Sequence, residues 1–178
     1  MIEGARQLVA QVLTVSAVNA QIVSLNTRFA SSAGWLGAVP QLPTDSNPAR
    51  NGVQDMWAKT YRELTRPGAG YMVAVLRAGK SELKASGKNR MTLPLWIECH
   101  GKADDQETTF QQASIIDQAI LYVLETLEGV ALANVSPPVA CVLISAADVE
   151  AINIDAAASG KLLGIRRKYD ITIDDARS

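Results

Sequence analysis

The sequence is poor in the residues that most catalytic and binding sites require. Its 178 residues include one histidine and two cysteines. Cys99 and Cys141 cannot form a disulfide framework, and both lie in apolar, strand-like runs, which predicts buried, reduced thiols. The formal net charge is −1, whereas proteins that bind nucleic acid through its phosphates usually carry a basic excess. These shortages argue against a disulfide scaffold, a zinc protein and a dedicated nucleic-acid binder.

The sequence also lacks a long hydrophobic run. The N-terminal segment mixes Glu3 and Arg6 with glutamine and asparagine, so it predicts neither a signal peptide nor a membrane span. Hydrophobic residues make up 48% and charged residues 20%, which is typical of a globular domain and not of a disordered chain. We expect residues 1–178 to form one domain.

Helical periodicity is clearest in two segments. Apolar residues fall on one face from residue 2 to about 18, whereas 21–29 fits either helix or strand. Residues 107–128 carry a wide apolar stripe, with acidic residues before it and Gly129 as a suitable end. The sequence therefore predicts an N-terminal helix and one long amphipathic helix.

Strand-like runs occupy 71–77, 91–100, 139–144 and 161–175. The first two are joined by a polar segment and predict a hairpin, while the last alternates apolar and polar residues. Together with the helices, these runs predict an α+β fold with a mostly antiparallel sheet of about four strands. Both hairpin strands are apolar on two sides, which predicts central strands or a second face covered by a neighbouring chain.

A long loop or arm is predicted at 31–52, where serine, glycine, proline and asparagine interrupt any periodicity. Trp35, Leu36 and Val39 within it require burial, either on a neighbouring chain or on the core of the same chain. A short helix is expected to follow at 53–64.

The segment AVLRAGKS, residues 74–81, nearly matches the phosphate-binding P-loop G-x-x-x-x-G-K-[ST]. Ala74 replaces the first glycine, and Gly87 interrupts the segment where a P-loop needs a helix. A basic hairpin loop is the preferred interpretation. A small nucleotide-binding enzyme that uses Lys80 and Ser81 is the alternative from a different functional class.

Other candidate sites are equally incomplete. Cys99 and His100 are adjacent on a predicted strand, where they would point to opposite faces and could not act as nucleophile and base. The pairs Asp104-Asp105 and Asp174-Asp175 are interpreted as charges at the start of a helix and the end of a strand. We predict no catalytic residues, no metal ligands and no cofactor.

The basic cluster Arg166-Arg167-Lys168 lies on the last predicted strand. It could contact DNA, and a DNA-contacting connector is a third hypothesis. Pairing with acidic groups at a subunit boundary is the preferred interpretation.

The order of elements resembles the tail terminator, or tail completion, proteins of long-tailed bacteriophages. In that family an alternating strand leads through a polar turn into one large helix, and a last strand mixes basic and apolar residues. The matching parts, in order, are Leu93 to His100, Lys102 to Asp105, Phe110 to Leu127 and Leu162 to Ile173. The match is one of pattern and covers about the C-terminal two thirds of the chain.

The resemblance implies a structural protein of the virion neck, made in the host cytoplasm. It would form a hexameric ring that caps the tail tube protein, ends tube polymerisation and presents a surface to the head–tail connector protein. Genome DNA would pass through its lumen without sequence-specific contact, and no membrane would be involved. Another connector, adaptor or head-completion protein is the alternative. Candidate residues for the subunit interfaces are Trp35, Leu36, Val39, Trp57, Trp96, Arg166 and Lys168.

Overall fold

The computed structural model describes residues 2–42, 53–55, 72–76, 80–83, 89–101, 103–132, 139–156 and 160–175. The helices are α1 (Ile2–Val12), α2 (Val15–Phe29) and α3 (Gln106–Glu125). The strands are β1 (Val53–Asp55), β2 (Met72–Leu76), β3 (Lys80–Leu83), β4 (Asn89–His100), β5 (Ala131–Leu132), β6 (Val139–Ala156) and β7 (Gly160–Asp175).

All the described strands belong to one sheet, in the order β1-β2-β4-β7-β6-β5, with β3 also paired to β4. Four main strands, β2, β4, β7 and β6, form an antiparallel path, and the short strands β1, β3 and β5 extend it. β1 pairs with β2 in parallel. The predicted α+β class with a mostly antiparallel sheet is therefore confirmed.

The helices cover one face of this sheet. On β4 the residues that alternate toward them are fully buried, namely Leu93, Leu95, Ile97 and Cys99. On β7 the buried residues opposite Leu93, Leu95 and Cys99 are Ile171, Tyr169 and Ile165, while Ile97 lies opposite Arg167 and buried Ile173 lies opposite Met91. Nine positions of α3 are buried: Thr109, Ala113, Ile115, Ile116, Asp117, Ala119, Ile120, Val123 and Leu124. The core thus lies between β4 and β7 on one side and the helices on the other.

The opposite face of β4 and β7 is polar over most of its described length. Arg90 donates two hydrogen bonds to Asp174, at 2.6 and 2.8 Å, and the hydroxyls of Thr92 and Thr172 lie 3.1 Å apart. Half-buried Trp96 lies opposite Lys168. These cross-strand pairs account for the polar half of the alternation on β7.

The N-terminal helix is divided where the sequence predicted continuity. Thr14 adopts an extended conformation and its hydroxyl accepts a hydrogen bond from the Ala17 N–H, so it caps a second helix. α2 then continues to Phe29, through the segment that also fitted a strand. Val18, Ile22 and Leu25 are buried, so tertiary packing decides the conformation that local preference left open.

Two local predictions need correction. Residues 53–55 form strand β1 and not the start of a helix, because they pair with β2; the rest of the predicted 53–64 helix lies outside the described residues. Strand β6 was predicted at 139–144, but it extends to Ala156. Its register shifts between Cys141 and Leu143 and again between Ala146 and Val149, which breaks the alternation that marks a strand in sequence.

The P-loop-like segment falls on two strands along one side of β4. Ala74 to Leu76 belong to β2, and Lys80 and Ser81 begin β3, which pairs with Thr92 and Met91. A P-loop needs a helix to begin at its lysine and serine, so that the helix N-terminus faces the phosphate. In the described residues strand β3 occupies that place.

Candidate functional site

Residues 39–42 run along α2 in the opposite direction to the helix, and two asparagines of α2 hold their backbone. Asn26 accepts from the Val39 N–H at 2.9 Å and donates to the Val39 carbonyl at 2.8 Å. Asn19 bonds Leu42 in the same way, at 2.7 and 2.9 Å. Each asparagine therefore satisfies both backbone groups of one residue, as a neighbouring strand would.

A third amide, on α3, holds the beginning of the same segment, which starts at Leu36. Gln111 accepts from the Leu36 N–H at 2.9 Å and donates to the Gly37 carbonyl at 3.0 Å. Just before it, Trp35 stacks on Phe29 at the end of α2, with ring centroids 6.1 Å apart. We call residues 36–42 the amide-held segment.

An open groove of about 480 Å³ borders this segment on the side of α3. Leu36 and Phe110 line it, and they remain 45% and 42% exposed. Val39 and Leu42, by contrast, are each only 3% exposed and join the core. The segment thus anchors two side chains and leaves an apolar surface beside them.

A second surface feature is the outer edge of β6. This strand has 18 residues, but β5 pairs only with Val139 and Ala140, and no other described strand lies on that side. Val142, Leu143 and Val149 are 43%, 51% and 50% exposed. Long edge strands with exposed apolar residues are templates for pairing with another chain.

A buried ionic cluster lies near the C-terminal end of β4. Glu98 and His100 are each 1% exposed, and their side-chain atoms Oε2 and Nε2 are 3.7 Å apart. Arg166 donates to Glu98 at 3.2 Å and to Glu150 at 2.6 Å. Burial, and then the charge of Glu150, raises the pKa of Glu98 to about 8, while the Arg166 guanidinium favours its ionised form.

This cluster does not supply an activated nucleophile. Cys99 belongs to the opposite face of β4, as its buried core position shows, and burial raises the pKa of its thiol well above the ordinary value. Burial likewise raises the pKa of Cys141 to about 11. Both thiols are therefore protonated at neutral pH and act as small apolar core residues.

A second ion pair connects the long helix to the sheet. The Arg167 Nε donates to the two carboxylate oxygens of Asp117 at 2.9 and 3.1 Å, and Arg167 Nη2 also contacts this carboxylate. Hydrogen bonding to Asp117 raises the pKa of Arg167. Asp117 is 4% exposed, so this pair is part of the structure between α3 and β7.

The structure distributes the predicted interface residues over two regions. Trp35, Leu36 and Val39 belong to or adjoin the amide-held segment, whereas Trp96 lies on the polar face of β4. Trp57 lies outside the described residues. The segment 35–42 folds onto its own chain, which was one of the two arrangements left open by the sequence.

The predicted basic residues pair within the chain. Arg166 bonds Glu98 and Glu150, and Lys168 donates to Asp170 at 3.2 Å. An additional role for Arg166 or Lys168 between subunits stays a prediction.

The acidic residues before α3 have the expected role at its start. Asp105 is the N-cap and accepts from the Thr108 N–H at 2.8 Å, which lowers the pKa of its carboxyl. Within the described ranges, no three histidine, cysteine, aspartate or glutamate side chains are grouped so that they could hold a metal ion.

Sequence reasoning missed the three amides, because their partners are 13, 23 and 74–75 residues away. The available signal was the placement of Asn19 and Asn26, two helical turns apart beside a buried stripe.

The helices of the described part include none that is both long and apolar enough to cross a membrane. In comparisons with known proteins, the chain matches no protein-family model and no curated protein.

Proposed function

We propose that the chain is a structural protein of the neck of a long-tailed bacteriophage, and specifically a tail terminator. Identical copies form a closed ring, which we expect to be hexameric. The ring caps the tail tube, ends its polymerisation and carries the surface that joins the head connector. The protein carries out no catalysis in this role, and the genome passes through the ring.

The outer edge of β6 carries the proposal. Main-chain groups along this edge have no strand beside them in the described part of the chain, and Leu143 and Val149 are half exposed there. A neighbouring subunit that adds a strand would pair with these main-chain groups, and an apolar face of that subunit would cover the two side chains. A head-to-tail contact of this kind forms a ring when the rotation from each copy to the next closes on the first copy, and we expect it to close.

The fold and the element order agree with the proposal. The resemblance implies one long amphipathic helix over an antiparallel sheet, and the nine buried positions of α3 against β4 and β7 support that arrangement. The strand pairing of Lys80 and Ser81 favours a structural role over the nucleotide-binding alternative.

The proposal is tested with the full chain by light scattering and negative-stain microscopy. We expect a mass that is a multiple of the 19.0 kDa chain, rings in the images, and density at one end of added tail tubes. A chain that remains a monomer at high concentration and does not bind tube ends would contradict the proposal.

Thermal unfolding of the same protein with added nucleotide separates a structural protein from a nucleotide-binding enzyme. ATP or GTP with magnesium at a hundredfold of the dissociation constant would stabilise a nucleotide-binding chain by about 2.7 kcal/mol. We expect no such shift in the unfolding temperature.

A further inference from the structure

We infer that the surface of α2 and α3 that carries Asn19, Asn26 and Gln111, called here the receptor groove, binds an extended peptide, and that in the assembled protein it holds the amide-held segment of a second copy. That a second copy supplies the segment depends on the proposed function, in which copies form a ring. The receptor depends only on hydrogen bonds within one chain.

The geometry of α2 matches that of an extended chain. Asn19 and Asn26 are seven residues apart, which is about 10.5 Å along a helix. Val39 and Leu42 are three residues apart, which is about 10 Å along an extended chain. The two asparagines therefore align with two backbone positions of a peptide that runs antiparallel to α2, and each offers one donor and one acceptor.

Recognition by this groove depends mainly on backbone groups. All six hydrogen bonds from the three amides go to main-chain N–H and carbonyl groups. Only Val39 and Leu42 add buried side chains. Because another copy carries the same two anchors and the same backbone, exchange of the segment between copies retains every contact, which is the condition for domain swapping.

The chain before the segment permits this exchange. Residues 30–34 are exposed and include Gly34, whose φ of 81° lies in the left-handed region. Residues 43–52, after the segment, lie outside the described residues.

The surface beside the groove favours a second copy as the donor. With the segment on its own chain, Leu36 and Phe110 stay nearly half exposed next to each other. A neighbouring subunit that delivers its segment also brings a surface that covers this apolar pair.

A labelled peptide tests the receptor. The capped peptide of residues 35–42, WLGAVPQL, is titrated by fluorescence anisotropy into the full-length Val39→Asp/Leu42→Asp variant, whose own segment cannot anchor. We expect saturable binding, at least tenfold weaker when Asn19→Ala and Asn26→Ala are added. A control peptide N-methylated at the two anchor residues keeps the side chains, lacks two donors, and should also bind at least tenfold more weakly.

Absence of saturable binding, or equal affinity for the two peptides, would overturn the receptor. Circular dichroism shows whether the variants fold. If one does not, the two peptides are titrated into the wild-type chain, where the unmethylated peptide should again be preferred, at higher concentration because it must displace the resident segment.

Mixing two defective chains tests the exchange. The Asn19→Ala/Asn26→Ala chain keeps its segment but lacks a groove, and the Val39→Asp/Leu42→Asp chain keeps its groove but lacks a segment. We expect each chain alone to associate more weakly than the wild type, because it retains only the β6 contact, and the one-to-one mixture to recover a larger mass, measured by light scattering.

The outcomes separate this inference from the proposed function. Rings of wild-type mass from the segment-defective chain would overturn the exchange and leave the tail terminator proposal intact. If the wild-type chain binds the peptide but remains a monomer, the proposed ring and the exchange between copies are both wrong. The peptide-binding receptor is then still supported. A mixture whose mass is no larger than that of each chain alone, while the wild-type chain assembles, would overturn the exchange alone.

Discussion

The turn between β4 and α3 depends on the absence of one side chain. Gly101 is buried, and a Cβ atom placed on it would lie 1.9 Å from the backbone carbonyl oxygen of Thr109 and 2.9 Å from the Gln112 Cβ. The obstacle is the backbone of the first turns of α3, which cannot rotate away as a flexible side chain could. Gly101 therefore fixes how closely the long helix follows the sheet.

Gly101→Ala is expected to lower the free energy of unfolding by about 1–3 kcal/mol, as overpacking in a buried site does. The change is measured by urea denaturation. Gly129→Asn is the matched control, because Gly129 has a φ of 79° that asparagine tolerates and nothing within 4 Å of an added Cβ. Equal stability of Gly101→Ala and wild type would show that the turn has more room than the structure gives it.

Glu98 is expected to make the stability of the protein depend on pH. Its pKa is raised from 4.5 to about 8 in the folded chain, so between these values the folded state keeps a proton that the unfolded chain has released. The free energy of unfolding therefore falls as pH rises through this window, by at most about 1.4 kcal/mol per pH unit. Glu98→Gln, which is neutral at every pH, should remove this slope in urea titrations at pH 5, 6, 7 and 8.

Glu150→Gln provides the internal comparison for that measurement. Removing the Glu150 charge takes away one cause of the raised pKa of Glu98, so that pKa should fall. The pH range over which the free energy of unfolding decreases should then end at a lower pH. A Glu98→Gln variant with the same pH slope as the wild type would contradict the assignment to Glu98.

Elements with regular alternation could be predicted from the sequence, and elements with interruptions could not. The middle of β4, from Leu93 to Ile97, and β7 from Tyr169 to Ile173 are recognisable because every second residue enters the core. The region of β6 beyond Ile144 escapes detection because two register shifts move its apolar residues from one side to the other. The separation of α1 from α2 depends on the single cap Thr14, with neither glycine nor proline to mark it.

The candidate sites were harder to predict because their parts are distant in sequence. The cluster of Glu98 with Arg166 and Glu150 joins residues 68 and 16 positions apart, and the sheet register that aligns them is not encoded in any local pattern. The absence of a P-loop helix after Ser81 was predictable, since no apolar stripe follows it. Local chemistry was thus sufficient to predict that no helix begins at Ser81, where strand β3 lies, whereas predicting the ionic cluster required contacts between distant residues.

The contact of α3 with β7 contains a charge pair whose removal should be costly. Asp117→Ala leaves the Arg167 guanidinium, 18% exposed, without its bidentate acceptor, and should destabilise the fold by roughly 3 kcal/mol in urea denaturation. The double variant Asp117→Leu/Arg167→Met removes both charges and should recover most of that loss. A single variant as stable as the wild type would show that the pair contributes nothing to this contact.

At the scale of the molecule, the two edges of the sheet differ. One edge is the three-residue strand β1, whereas the other presents β6 over more than ten residues beyond β5. Pairing of two β6 edges about a two-fold axis near Val149 would bring Asp148 of each copy beside Glu150 of the other, and Glu150 already accepts a hydrogen bond from Arg166 of its own chain. A contact between β6 and a different surface of the next copy avoids this approach of like charges, and such a contact forms a ring where the rotation between copies closes.

Lysine on the β6 edge should therefore prevent assembly without unfolding the subunit. Leu143 and Val149 are half exposed in the single chain, so Leu143→Lys/Val149→Lys should leave the unfolding temperature nearly unchanged. The loss of two apolar contacts should weaken subunit association by about 2–3 kcal/mol, or roughly a hundredfold, and shift the mass in light scattering toward the monomer. Ser24→Lys is the matched control, because Ser24 is exposed on α2 and is not on the side of the helix that carries Asn19 and Asn26; this variant should assemble as the wild type does. Rings of normal mass from the double variant would place the subunit contact elsewhere than β6, since burying two added lysine charges in the contact should weaken it.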